Sequence, residues 1–78
     1  MTSEENGIMR DAFYYLRDHN DPPALGTDAC ADFFLNAAKD MGTLVSVTWK
    51  NHPLAQNLIL AIYEYLDVKC KAKAGGAS

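Results

Sequence analysis

The 78-residue sequence lacks most of the signals that announce a chemistry. Its two cysteines, Cys30 and Cys70, form neither a disulfide-scaffold pattern nor a CxxC motif. There is no P-loop, no GxGxxG and no HExxH, and Gly7, Gly26 and Gly42 each stand alone. These absences argue against the familiar phosphate-cradling, dinucleotide-binding and zinc-hydrolase sites. No apolar run reaches the roughly 18 residues that a membrane span needs. Basic residues are few: seven Lys and Arg stand against ten Asp and Glu, a net charge of −3 that argues against a dedicated nucleic-acid binder. The opening residues MTSEENG are acidic where a secretory signal is basic and then apolar. A cytoplasmic, reduced protein without a signal peptide is therefore expected.

What remains is an ordinary globular balance, with 49% hydrophobic and 22% charged residues. A chain of this length has room for one domain and buries only about 60% of the surface its unfolded form exposes. Three segments read as helices. The first starts near Ser3, behind a Thr2-x-x-Glu5 capping box. Ile8, Met9, Ala12, Phe13 and Leu16 recur at helical spacing and form its expected core stripe. The pattern stops at His19-Asn20, and Pro22-Pro23 forbids continuation.

The second helix begins at Thr27 or Asp28, with Thr27 as its cap. Cys30, Phe33, Phe34, Ala37, Ala38, Met41, Leu44 and Val45 make one stripe. The weak part is GTLVSVTW, residues 42–49, where a glycine and four β-branched residues lower helix propensity. A short strand competes there, but the stripe runs on in helical phase through Leu44, Val45 and Thr48, so helix is predicted. The third helix starts at Pro53, a favoured first position, with His52 as cap. It is predicted to run to about Lys71. The expected inner face is Leu54, Leu58, Ala61, Ile62, Tyr65 and Leu66. The short link at Asn51-His52 predicts an antiparallel hairpin of helices 2 and 3. The fold expected is an all-α three-helix up-down-up bundle, with residues 1–72 as one domain and 73–78 as a disordered tail.

Charge is uneven along the chain. Residues 1–32 hold seven acids and two bases, a net of −5, whereas residues 33–78 hold three acids and five bases, a net of +2. In an up-down-up bundle, Asp18, Asp21, Asp28 and Asp32 gather at the same pole as Lys69, Lys71 and Lys73. The asymmetry then becomes neutralisation within the molecule, and no external partner is needed to explain it. The stretch DHNDPPALGTD lacks the spacing and the closing glutamate of a calcium loop, and His19 and His52 fall at opposite poles. It reads as a corner between helices, and His52 as a turn and cap residue. Cys30 and Cys70 return to one height in the hairpin, with their Cα atoms expected within roughly 12 Å. Two free thiols are predicted, since a bridge needs a much closer approach.

One feature exceeds what a monomer needs. The third helix is apolar around more than half its circumference, and the first adds two tyrosines beside its core residues. Tyr14, Tyr15, Ile59, Leu60 and Tyr63 are the candidate interface. The segment WKNHPLAQNLILAIYEYLDVKCK, preceded by DPP and DFFLNAAKDMGTL, resembles a group of small uncharacterised bacterial proteins associated with prophage-like and other mobile elements. That resemblance implies no activity and transfers no functional residue.

The expected function is a non-catalytic protein-interaction or assembly module: a homo-oligomer or a binder of another protein, with no cofactor, metal or small-molecule substrate identified. The first alternative is a small transcriptional or replication regulator that touches nucleic acid indirectly or through its lysine-rich C-terminus. The second is a small enzyme or metal-binding protein.

Overall fold

The computed structural model describes residues 1–75 as an all-α three-helix bundle. Helix α1 spans Ser3–Asp18, α2 spans Asp28–Thr43 and α3 spans Pro53–Gly75. The capping box forms as its sequence predicts. The Glu5 amide donates to Thr2 Oγ1 at 3.1 Å, and the Thr2 amide donates to Glu5 Oε1 at 2.7 Å. At the far end of α1, the His19 amide closes the last turn on the carbonyls of Tyr15 and Leu16. The proline corner then redirects the chain. Gly26 has φ +90°, in the left-handed region open to glycine, and directly precedes the α2 cap. Thr27 Oγ1 accepts from the Cys30 amide at 3.1 Å and donates to the Ala24 carbonyl at 2.7 Å, so one hydroxyl both caps the helix and closes the corner.

Residues 42–49 are not a strand. The helix continues through Thr43 and then widens into a π turn at Leu44–Thr48. The Trp49 amide reaches the Leu44 carbonyl at 3.1 Å, and the Asn51 amide reaches the Val45 carbonyl at 2.8 Å. The widened turn shifts the later side chains out of α-helical phase. Leu44 and Val45 stay half-buried, while Thr48, expected to prolong the stripe, is exposed. The chain reverses through Lys50 and Asn51, both with positive φ. His52 caps α3 as predicted: the Leu54 amide donates to His52 Nδ1 at 3.1 Å.

Helices α1 and α2 both pack on α3. With 23 residues, α3 is the longest element. It continues four residues past its expected end at Lys71. Residues 73–75, assigned to a tail by the sequence pattern, are therefore helical, and residues 76–78 lie outside the described residues.

The buried core is Ile8, Ala12 and Tyr15 from α1, Cys30 and Ala37 from α2, and Ala55, Ile59, Leu66 and Cys70 from α3. Several expectations are corrected here. Met9 and Phe13, expected inside, are exposed, and Tyr15 takes the inner position. In α3 the centre of the buried face is Ile59, and Ala61 and Tyr65, expected inside, are exposed. The reason is geometric. A helix touching two neighbours turns the middle of its apolar arc between them, which leaves Leu58 and Ile62 at the margin. Of the residues expected in the hairpin core, Ala37 and Leu66 are buried, while Phe33, Phe34, Met41, Leu44, Leu58 and Ile62 are half-buried around them. Cys30 and Cys70 are free and at one height, as the antiparallel hairpin requires. The two sulfurs lie 2.9 Å apart, which keeps the Cα atoms within the expected limit of roughly 12 Å.

Candidate functional site

Three polar contacts tie α1 and its C-cap to α2 and the turn that follows it. The Tyr15 hydroxyl donates to the Ala37 carbonyl at 2.9 Å. The His19 ring lies between the Tyr15 carbonyl, 2.8 Å from Nδ1, and Asp40 Oδ2, 3.0 Å from Nε2. Both neighbours are acceptors, so only the doubly protonated ring donates to both. At the other end of α1 the Trp49 indole N–H donates to Asp11 Oδ2 at 2.9 Å, and the Trp49 ring lies over Gly7. A methyl group on Gly7 would stand 2.5 Å from Trp49 Cη2. Glycine is required here by close approach.

Between these ties runs an open groove of about 410 Å³ with Asp11, Tyr14, Asp18 and Asp40 among its lining residues. Its carboxylates have partners. Asp11 holds Trp49, Asp40 holds His19, and Asp18 accepts from Arg17 Nε at 3.1 Å. They fasten the two helices and turn around the groove.

The five residues singled out from sequence do not form one surface. Tyr15 and Ile59 are core residues. This corrects their assignment to an interface: Ile59 is the centre of the α3 face between its two neighbours, and Tyr15 is held inward by its bond to Ala37. Tyr63 is half-buried and meets Phe34 edge-on, with ring centroids 5.7 Å apart. Tyr14 is 42% exposed at the acidic groove, under the Arg17 guanidinium at 4.6 Å. Leu60 is 45% exposed and lines a separate α2–α3 groove with Met41, Val45 and Gln56.

A different apolar face emerges on the outer side of α1 and α3. Met9, Phe13, Leu16 and Asn20 repeat at i, i+4, i+7 and i+11. Leu58, Ile62, Tyr65 and Lys69 repeat at the same intervals on α3. The two helices run parallel, and their C-terminal ends are pinned together where Lys69 Nζ donates to the Asn20 carbonyl and Oδ1, at 2.6 and 2.8 Å. The same ammonium lies 5.6 Å from the Tyr65 ring centroid, and Asn20 shares a shallow groove with Phe13 and Leu16. The stripes thus run along two neighbouring parallel helices. Phe13 is 62% exposed and Tyr65 50%. Of the six apolar residues that periodicity places in the core, Leu16, Leu58 and Ile62 are half-buried against it, and Met9, Phe13 and Tyr65 are exposed.

The lysines near the C-terminus hold the corner. Lys73 pairs with Asp21 and donates to the Pro22 carbonyl at 2.7 Å, and Lys71 pairs with Asp67 on its own helix at 2.9 Å. The expected neutralisation is realised directly at Lys73 and Asp21. Among the described residues no helix is long and apolar enough to cross a membrane. The chain matches no family model, no curated protein and no solved structure.

Proposed function

We propose that this chain is a non-catalytic protein-interaction module that associates with a second copy of itself through the outer face of α1 and α3. The observation that carries this reading is the exposure of Met9, Phe13 and Tyr65 on the outer side of two parallel helices joined at Asn20–Lys69, with half-buried Leu16, Leu58 and Ile62 between them and the core. Scattered exposed apolar residues are normal, whereas exposed rings on two neighbouring helices, backed by half-buried apolar residues, suit a partner. The charges next to the patch, Arg17 and Lys69, lie at one end of it. A two-fold dimer that packs the α1–α3 pair antiparallel on its copy places these like charges at opposite ends and completes a four-helix layer. The resemblance to proteins of mobile elements extends the proposal to assembly in a prophage-like process.

Light scattering over a dilution series tests the reading. A mass that rises from one chain towards two with concentration supports it. A one-chain mass at every concentration removes it.

A further inference from the structure

Cys30 lies in the first turn of α2 and Cys70 near the end of α3, both buried and both free. Their sulfurs are 2.9 Å apart, beyond a covalent S–S bond of about 2.05 Å and within sulfur hydrogen-bond range. A zinc ion bonds each thiolate at about 2.3 Å and holds the sulfurs wider apart than this, so the spacing suits a bond between the sulfurs better than a shared metal. We propose that Cys30 and Cys70 are a dithiol–disulfide pair, which a low-molecular-weight disulfide oxidises to an intramolecular bridge stapling the start of α2 to the end of α3.

The chemistry balances within that pair and its oxidant. One cysteine thiolate attacks the small disulfide, breaks its S–S bond and releases one small thiolate, leaving a mixed disulfide on the protein. The second cysteine thiolate attacks the protein sulfur of that mixed disulfide and releases the other small thiolate. Two S–H bonds are lost and one S–S bond forms. The two electrons and two protons end on two molecules of small thiol.

Access and reactivity set the rate. The proline corner covers the pair: the Leu25 amide donates to the Cys70 carbonyl at 3.3 Å, and Lys73 holds Asp21 and the Pro22 carbonyl. Burial, followed by the hydrogen bond with Cys30, pushes the Cys70 thiol up to about 11, so little of it is thiolate at neutral pH. Oxidation is accordingly slow in the closed fold and speeds up when the corner lifts or the pH rises. Once formed, the bridge closes the long loop from residue 30 to residue 70 and restricts the unfolded chain. It acts within one chain, so it is independent of self-association.

The test uses the purified full chain in glutathione buffers graded from reduced to oxidised, at mildly alkaline pH. One arm starts from folded protein and a second refolds the chain from urea in the same buffers. The expected product in both arms is a single chain lighter by two hydrogens that yields a Cys30–Cys70 linked peptide. Its thermal midpoint is raised by on the order of 10 °C. The Cys30→Ser variant should show no such rise on oxidation. Two free thiols surviving refolding in the oxidised buffer would overturn the proposal. So would glutathionylated or inter-chain linked products in place of the bridge, or an equal rise in Cys30→Ser.

Discussion

The Tyr15 hydroxyl lies 2.9 Å from the carbonyl of Ala37, 22 residues further along the chain, and fastens the inner face of α1 to the middle of α2. This bond explains why a polar-tipped aromatic, rather than Phe13, occupies the core. Tyr15→Phe keeps the ring and removes the bond, at a cost of about 1 kcal/mol in a urea titration. Burial, then the nearby Tyr63 and Asp40, raise the Tyr15 phenol from 10.0 to about 12. A raised folded value means that the neutral form stabilises the fold below pH 10, and that this contribution fades as pH climbs towards 12. Wild type should therefore lose its stability advantage over Tyr15→Phe across that window. A constant gap would show that the phenol is not held in its neutral form.

Gly7 and Gly42 make opposite predictions for one substitution. Alanine in an exposed helix interior ordinarily gains about 0.5–1 kcal/mol over glycine. Gly42→Ala meets nothing within 4 Å and should gain about that much. Gly7→Ala drives a methyl group into the Trp49 indole and should lose about 1–3 kcal/mol. Trp49 fluorescence should report the disturbance. Equal effects at both positions would place Trp49 elsewhere.

The Asp21–Lys73 pair sets an acid limit on the corner. Lys73 holds the Asp21 carboxyl below its ordinary value of 3.8, chiefly by hydrogen bonding and then by charge. A depressed folded value gives stability that is present above the ordinary carboxylate range and lost as pH falls through the folded value. The pair is exposed, so the effect is small. The thermal midpoint of Asp21→Asn should lie below that of wild type at neutral pH, and the two should converge on acidification.

Local signals carried most of the fold. The Thr2–Glu5 box, the Thr27 cap, the His52-Pro53 start and the Pro22-Pro23 stop are each short-range chemistry, and each lies where the sequence places it. The rotation of the helices was harder to read. Periodicity marks an apolar arc, but where an arc exceeds what one neighbour covers, the neighbours choose its centre. Ile59 became the centre of α3 and Leu60 stayed out, although they are adjacent and equally apolar. Ile59→Ala should cost about 2–5 kcal/mol, and Leu60→Ala should stay within about 0.5 kcal/mol. The Cys30–Cys70 approach was legible as a shared height. Actual sulfur contact depends on side-chain directions that no spacing rule supplies. The outer face of α1 and α3 is hidden from periodicity because Met9, Phe13 and Tyr65 fall in phase with Leu16, Leu58 and Ile62, which do pack on the core.

Sedimentation velocity on wild type, Phe13→Glu and Leu60→Glu tests self-association most directly. Phe13 lies on the proposed face and Leu60 on the separate α2–α3 groove, and both are exposed, so neither change places a charge in the core. Wild type and Leu60→Glu should sediment as concentration-dependent dimers, and Phe13→Glu as a folded monomer. A monomeric wild type at all concentrations, or a dimer that Leu60→Glu breaks and Phe13→Glu leaves intact, would contradict assembly through the outer face.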